Sequence, residues 1–198
     1  MEKGSPLKID LPQSDIVYFR NFLSGDRACQ LMESLRTSVA WQQDDIRVFG
    51  KTYPQPRLTA LYGNNGQPYS YSNITMHPLK FTPELKELKA QIEQLIPPIQ
   101  FTSCLLNLYR NGKDSNGWHA DNEPSLGRNP VIASVSLGEE RVFHLKHKDN
   151  SEWKHKMILE NGSLLIMKGS TQHHWLHQLP KTSRDIGERI NLTFRVIK

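Results

Sequence analysis

Two short patterns in this chain hold metal-binding side chains at chemically useful intervals. His119-Ala120-Asp121 sets an imidazole and a carboxylate two residues apart. In extended backbone both project from one face, so the pair could grip a single ion. Alone this says little: with eight His and 20 acidic residues in 198 positions, a His-x-acid pair arises by chance about once per chain, and a salt-bridged surface pair is the ordinary outcome. Trp175-Leu176-His177, after Gly169-Ser170 and before Pro180, offers a distal third ligand on a short segment that could return to the same sheet. Two His and one carboxylate on one face of an octahedron leave the other positions open, which suits non-haem Fe(II) and O2 chemistry. By spacing, His173 and His174 compete with His177 for the third place. His144, His147 and His155 lie among Lys and Glu in edge-like strands and are expected to be solvated.

A third pattern is harder to produce by accident. Arg189-Ile190-Asn191-Leu192-Thr193-Phe194-Arg195 alternates strictly, sending Arg189, Asn191, Thr193 and Arg195 to one side and the apolar residues to the other. If the apolar side feeds a core and the strand belongs to a closed barrel, two guanidiniums meet inside it. Burying two like charges without an anion is costly, so the strand asks for a dicarboxylate, which Arg binds bidentately. The plain alternative is a polar face turned to water. Asn107-Leu108-Tyr109 places two more polar side chains on one strand face. Together the patterns describe a site for Fe(II) and 2-oxoglutarate, with the keto acid on the metal and the far carboxylate on Arg195.

The elements that must position these groups are legible in outline. Residues 1–15 mix Pro, Ser and charge and read as a loose leader. Ser24 is a good N-cap, followed by Ala28, Leu31, Met32 and Leu35 on one helical face. Thr82-Pro83-Glu84 starts a second helix with Leu85, Leu88, Ile92 and Leu95 on its apolar side, and Pro97-Pro98 stops it. Between them, residues 41–79 suggest hairpins and a recognition lid, with β-prone pieces at Ile46 to Phe49 and Leu58 to Tyr62. From Phe101 onward short β-prone segments separated by turns predict a sandwich or double-stranded barrel.

Composition narrows the class. Hydrophobic residues make up 37% and charged residues 23% of 198, which excludes a disordered or collagen-like chain. No run of about 18 apolar residues occurs, so a membrane partner is not expected; the reading is a soluble, intracellular monomer, cytoplasmic in a bacterium and nuclear in a eukaryote. Cys29 and Cys104 form no CxxC pattern and are read as ordinary buried thiols. A formal net charge of +5 gives a mild attraction to polyanions.

The run Asn107 to Asp121, the segment Ala133-Ser134-Val135-Ser136-Leu137-Gly138, the Trp175-Leu176-His177 element and Arg189 to Arg195 together resemble the AlkB family of Fe(II)/2-oxoglutarate dioxygenases, which demethylate alkylated bases in nucleic acid. The resemblance covers roughly residues 45–197. It implies an α+β, mainly β protein: a jelly-roll-like double-stranded β-helix with supporting N-terminal helices and a nucleotide-recognition lid. The chain would be one domain over 1–198, with leader 1–15, helices and lid 16–100 and catalytic core 101–198. His119, Asp121 and His177 are implied as iron ligands, and Asn107, Tyr109, Arg189 and Arg195 as 2-oxoglutarate contacts, with Asn191 and Thr193 shaping that pocket. Arg195 would meet the distal carboxylate and Arg189 the end near iron. Phe49 matches a finger that fills the gap left by an extruded base, and Arg57, Tyr69, Tyr71 and Glu123 match base-pocket positions. The lid is similar to that of duplex-acting members, whereas Arg128-Asn129-Pro130 and Thr171-Gln172 are similar to members that prefer single strands. The implied reaction uses Fe(II), O2 and 2-oxoglutarate on alkylated DNA, with RNA left open, and yields formaldehyde, succinate and CO2. The alternatives are a 2-oxoglutarate-dependent hydroxylase of a protein or small molecule, a cupin-like module without catalysis and a non-catalytic nucleic-acid-binding protein.

Overall fold

The computed structural model describes residues 5–48, 50–71 and 74–198. Along the chain the elements are β1 (Leu7–Ile9), β2 (Asp15–Phe19), α1 (Gly25–Ser38), β3 (Asp45–Val48), β4 (Lys51–Pro54), β5 (Leu58–Gly63), β6 (Tyr69–Tyr71), β7 (Ile74–Met76), β8 (Leu79–Lys80) and α2 (Pro83–Glu93). The second half adds β9 (Ser103–Tyr109), β10 (Asn116–His119), β11 (Ile132–Gly138), β12 (Arg141–His147), β13 (Lys154–Leu159), β14 (Leu164–Lys168), α3 (Thr171–His174), β15 (Trp175–Leu179) and β16 (Arg189–Arg195).

Both long helices begin where their caps predict. The Ser24 hydroxyl accepts from the Arg27 N–H and the Thr82 hydroxyl from the Leu85 N–H, satisfying donors that a helix start leaves without partners. α1 buries Ala28, Leu31 and Leu35, and α2 buries Leu85, Leu88 and Ile92. These faces pack on one side of an eight-stranded sheet ordered β1-β2-β14-β11-β16-β9-β5-β8, against Leu106, Val135, Leu192 and Phe194 among others. Truncating a buried Leu such as Leu35 to Ala costs about 2–5 kcal/mol, so the helices hold the sheet flat-backed against solvent. The other side of the sheet faces a four-stranded sheet ordered β10-β15-β12-β13. A second core cluster fills part of the space between them, with Leu105, Ile132 and Met167 from one sheet and Phe143, Leu159 and Leu179 from the other. This is the predicted jelly-roll arrangement with supporting helices.

Because one side is covered by helices and the other by the second sheet, every residue of β9 and β16 is buried. The polar side of β16 therefore does not face water. Part of the segment expected as a loose leader is instead ordered against the fold: β1 pairs antiparallel with β2, and the Pro12 carbonyl accepts from the Trp175 indole. Among the cysteines, Cys104 is buried as expected but Cys29 is exposed. The lid region forms two hairpins, β3 with β4 and β6 with β7. No helix among the described residues is long and apolar enough to cross a membrane.

Candidate metal and dicarboxylate site

A cavity of about 290 Å³ opens between the two sheets, and the polar side of β16 forms one wall of it. Of the residues expected at the site, Arg57, Tyr69, Asn107, Tyr109, Glu123, Asn191, Thr193, both arginines of β16 and the His119, Asp121 and His177 group line this cavity. Phe49 and the side chain of Tyr71 lie outside the described residues.

His119 ends β10, and His177 lies directly opposite it on β15. Asp121 follows in a bend rather than in extended strand, so the same-face argument from spacing is not how the group assembles. Ligand atoms of His119, Asp121 and His177 nevertheless all come within 4.8 Å of one another. Their hydrogen bonds orient the ligating atoms towards a shared point. The Gly117 carbonyl, 2.7 Å from His119 Nδ1, can only accept, so Nδ1 carries the proton and Nε2 keeps its lone pair. The Asn116 side-chain amide donates to that Nε2 at 3.2 Å, a contact that a metal ion would displace. Asp121 Oδ1 accepts from Arg195 Nη2 at 2.7 Å, while Oδ2 sits 3.7 Å from His177 Nε2. One carboxylate oxygen is thus tied to a guanidinium and the other faces the imidazole. The Asp121 N–H is held by Oε1 of the fully buried Gln172.

The electrostatics favour the ligating forms. Burial works against the Asp121 anion, but Arg195, His177 and His119 together outweigh it and hold the carboxyl below its usual range. His177 is lowered to about 3 by burial first and by neighbouring His119 second, so it is neutral at physiological pH. Two imidazole lone pairs and one carboxylate oxygen on one side of a cavity fit a divalent transition metal with open positions.

The rest of the wall fits an anion. Arg189 is buried and donates through Nη2 to Ser136 Oγ at 2.9 Å, and its Nε has no hydrogen-bond partner among the described residues. Burial, reinforced by nearby Arg141 against the opposing pull of Tyr109, lowers its guanidinium to about 10. Among the described residues no carboxylate lies within 4.0 Å of it. An unpaired buried cation beside the open side of a metal site is what a dicarboxylate would neutralise. Asn191 and Thr193 instead satisfy each other and Ser134, shaping the wall. The reading that sent Arg189 to the metal end and Arg195 to the far end is reversed: Arg195 touches Asp121, and Arg189 sits opposite Tyr109 at the other end of the strand pair.

Two expected base contacts also differ in kind. Arg57 is buried, and its Nε donates to Asn107 Oδ1 at 2.8 Å with Nη1 on the Ser115 carbonyl. That bond turns the Asn107 carbonyl towards Arg57, so its NH2 is what Asn107 can offer the cavity. Tyr69 donates to Glu123 Oε1 at 2.9 Å and lies under Arg195, and Glu123 Oε2 is buried with no hydrogen-bond partner among the described residues. Burial, with Asp121 and Glu123 adding to it against Arg195, raises the Tyr69 phenol above its ordinary value, so it stays a donor.

The rival histidines are placed elsewhere. His173 bonds Asn129 Oδ1, and His174 stacks on His147. His147 was expected to be solvated but is buried, and with Asp149 and His174 forms a second group whose ligand atoms lie within 4.8 Å. Its Nδ1 accepts from the Asp149 and Asn150 N–H groups and its Nε2 bonds Gln13 Oε1 at 2.8 Å, so neither nitrogen is spare. Sequence reasoning missed Asn116 and Gln172 as supports; a short polar side chain three residues before His119 was the available signal for the former.

Comparison with known proteins agrees with this geometry. Residues 15–195 match the model of the 2OG-Fe(II) oxygenase superfamily. The chain is 45% identical over 190 residues to the alpha-ketoglutarate-dependent dioxygenase alkB homolog 3 of Bos taurus, covering 89% of this chain and 64% of that protein. It is 35% identical over 209 residues to the DNA oxidative demethylase ALKBH2 of Arabidopsis thaliana, covering 93% of this chain and 67% of that protein. The chain thus spans about two thirds of the length of these curated relatives. Among solved structures, OsALKBH1 aligns over 97% of this chain and 100% of its own with a TM-score of 0.71 at 17% identity, a likeness of fold.

Proposed function

The chain belongs to the 2OG-Fe(II) oxygenase superfamily and, within it, to the AlkB family; on that premise we propose that it oxidatively demethylates N-alkylated bases such as 1-methyladenine and 3-methylcytosine in DNA, using Fe(II), O2 and 2-oxoglutarate and releasing formaldehyde, succinate and CO2. The observation that carries this reading is the convergence, on one cavity, of three available metal donors and a buried guanidinium with no anion.

In this reading His119, Asp121 and His177 hold the iron, and Arg189, Asn107 and Tyr109 receive the far end of 2-oxoglutarate. Bound iron and 2-oxoglutarate supply the oxidising power that converts an N-methyl C–H bond to C–OH. The protein's own work is binding and orientation. Arg195 occupies Asp121 Oδ1 and so restricts the carboxylate to one ligating oxygen. Gly117 and Asn116 fix the His119 ring. Arg57 sets the Asn107 amide with its NH2 towards the co-substrate. A methylated base reaches this depth only when flipped out of its stack, at a cost of a few kcal/mol. Glu123 Oε2, buried and without a partner, then accepts an N–H from the exocyclic amino group, while the Tyr69 phenol holds the other oxygen. Phe143, Leu179 and Ile132 line the same cavity with apolar surface that excludes water.

The test is mass spectrometry of single- and double-stranded DNA and RNA oligonucleotides carrying 1-methyladenine, incubated with Fe(II), 2-oxoglutarate and ascorbate. Loss of one methylene mass per lesion with matching succinate is the expected result. Intact lesions, with 2-oxoglutarate consumed in the presence of a protein or small-molecule substrate, would assign the site to a hydroxylase instead.

A further inference from the structure

The small sheet that carries His119 and His177 inward turns its other face to solvent, and that face is apolar at Val142 and Ile158 and cationic further along the same strands. Along β12 and β13 the outward residues include His144, Lys146, Lys154 and Lys156, with Lys154 and Lys156 exposed. Lys146 lies directly opposite Lys154, and His144 directly opposite Lys156. Like charges facing each other across an antiparallel pair weaken it. Among the described residues no carboxylate lies within 4.0 Å of any of these three lysines. On the other side of His144 comes Gln178 on β15, and beyond it Trp118 on β10. Trp118 is 39% exposed, immediately precedes His119 and carries the Lys146 ammonium 4.4 Å from its ring centroid. An aromatic next to the site thus begins a row that ends in uncompensated lysines three strand spacings away, about 14 Å.

The geometry points to this outer face as a track for the nucleic-acid strand that carries the flipped base, with a neighbouring base on Trp118 and phosphates on Lys146, Lys154 and Lys156. The inference rests on the proposed nucleic-acid substrate and extends it beyond the pocket. Cations interleaved with an aromatic are the means by which single strands are held without sequence readout. Phosphates would also relieve the opposed lysines. An acidic peptide would meet the lysines but has no use for the aromatic at the head of the row.

The double variant Lys154→Thr and Lys156→Thr tests the track, because Thr keeps strand propensity and removes like-charge repulsion, so folding is not put at risk. Binding is measured by fluorescence anisotropy under nitrogen with Fe(II) and 2-oxoglutarate present, using a labelled strand of about 12 nucleotides with one 1-methyladenine, over a range of salt. The double variant is expected to bind about tenfold more weakly at low salt, with the slope of log affinity against log salt shallower by about 1.4, as for two lost single-strand phosphate contacts. A methylated dinucleotide, too short to reach β13, should bind as it does to the wild type. If the lysines serve only to keep the β13 edge from pairing with another chain, the variant self-associates and keeps the wild-type slope, and the track is overturned. A wild-type protein that binds no oligonucleotide at any salt would overturn the substrate assignment itself.

Discussion

Among the described residues lie two His-Asp-His groups, each with its ligand atoms within 4.8 Å of one another, and chemically opposite. In His119, Asp121 and His177, Nδ1 of His119 is spent on a carbonyl and Oδ1 of Asp121 on Arg195, and the lone pair of His119 Nε2 meets only the side-chain amide of Asn116, which a metal ion can displace by a rotation of that side chain. In His147, Asp149 and His174, both nitrogens of His147 are spent, on Gln13 and on two backbone N–H groups. The first group is a site and the second is a clasp that ties the start of the chain to the β12–β13 turn. Proximity of donor atoms does not distinguish them; the accounting of lone pairs and protons does.

Substitutions should separate the two groups, and the largest effect is on the acids. Asp121→Ala is expected to abolish turnover and iron retention, whereas Asp149→Ala keeps one iron per chain and normal turnover; iron counting after desalting checks both. Next comes the anion partner that only the first group has. Arg189→Met should raise the KM for 2-oxoglutarate about 100-fold, the loss expected for a buried charge-assisted pair, with iron content unchanged. Arg57→Met acts one step removed, through Asn107, and should raise the same KM about tenfold while leaving the salt dependence of oligonucleotide binding as it was; an effect on base affinity alone would return Arg57 to the base pocket. His147→Ala breaks the clasp and should cost about 2–4 kcal/mol in urea unfolding, with no change in metal stoichiometry.

The last effect is in pH. His177 is held at about 3 in the fold against an ordinary 6.5, so below 6.5 the unfolded chain takes up a proton that the folded one refuses. Metal-free protein should therefore lose stability as pH falls from 6.5 towards 3, and Asp121, also lowered from 3.8, adds a further loss below that value. Unfolding midpoints across this range check the sign, and His177→Gln should flatten the upper part of the curve.

How much of this was readable beforehand follows from where each signal lives. Strict alternation in Arg189 to Arg195 is a local pattern, and it foretold both the strand and its polar wall. The helix starts at Ser24 and Thr82 are local too. The orientation of the co-substrate pocket was not readable, since which arginine stands at the metal end depends on the contact between Arg195 and Asp121, 74 positions apart. The burial of His147 depends on Gln13, 134 positions away. β10 is not legible in the sequence because Asn116-Gly117-Trp118-His119 has no apolar alternation and its register shifts against β15. β1 was hidden by flanking Pro and charge, which argue for a loop until β2 offers an edge to pair with.

The central claim is that one group of three side chains, beside one unpaired guanidinium, takes one metal and one dicarboxylate. Anaerobic calorimetric titration with Fe(II), in the presence and absence of 2-oxoglutarate, tests it most directly. The expected result is a single Fe(II) per chain, bound more tightly when 2-oxoglutarate is present, and lost in His177→Ala. Two equivalents of iron per chain, or one that survives removal of His177 and disappears with His147, would contradict the account.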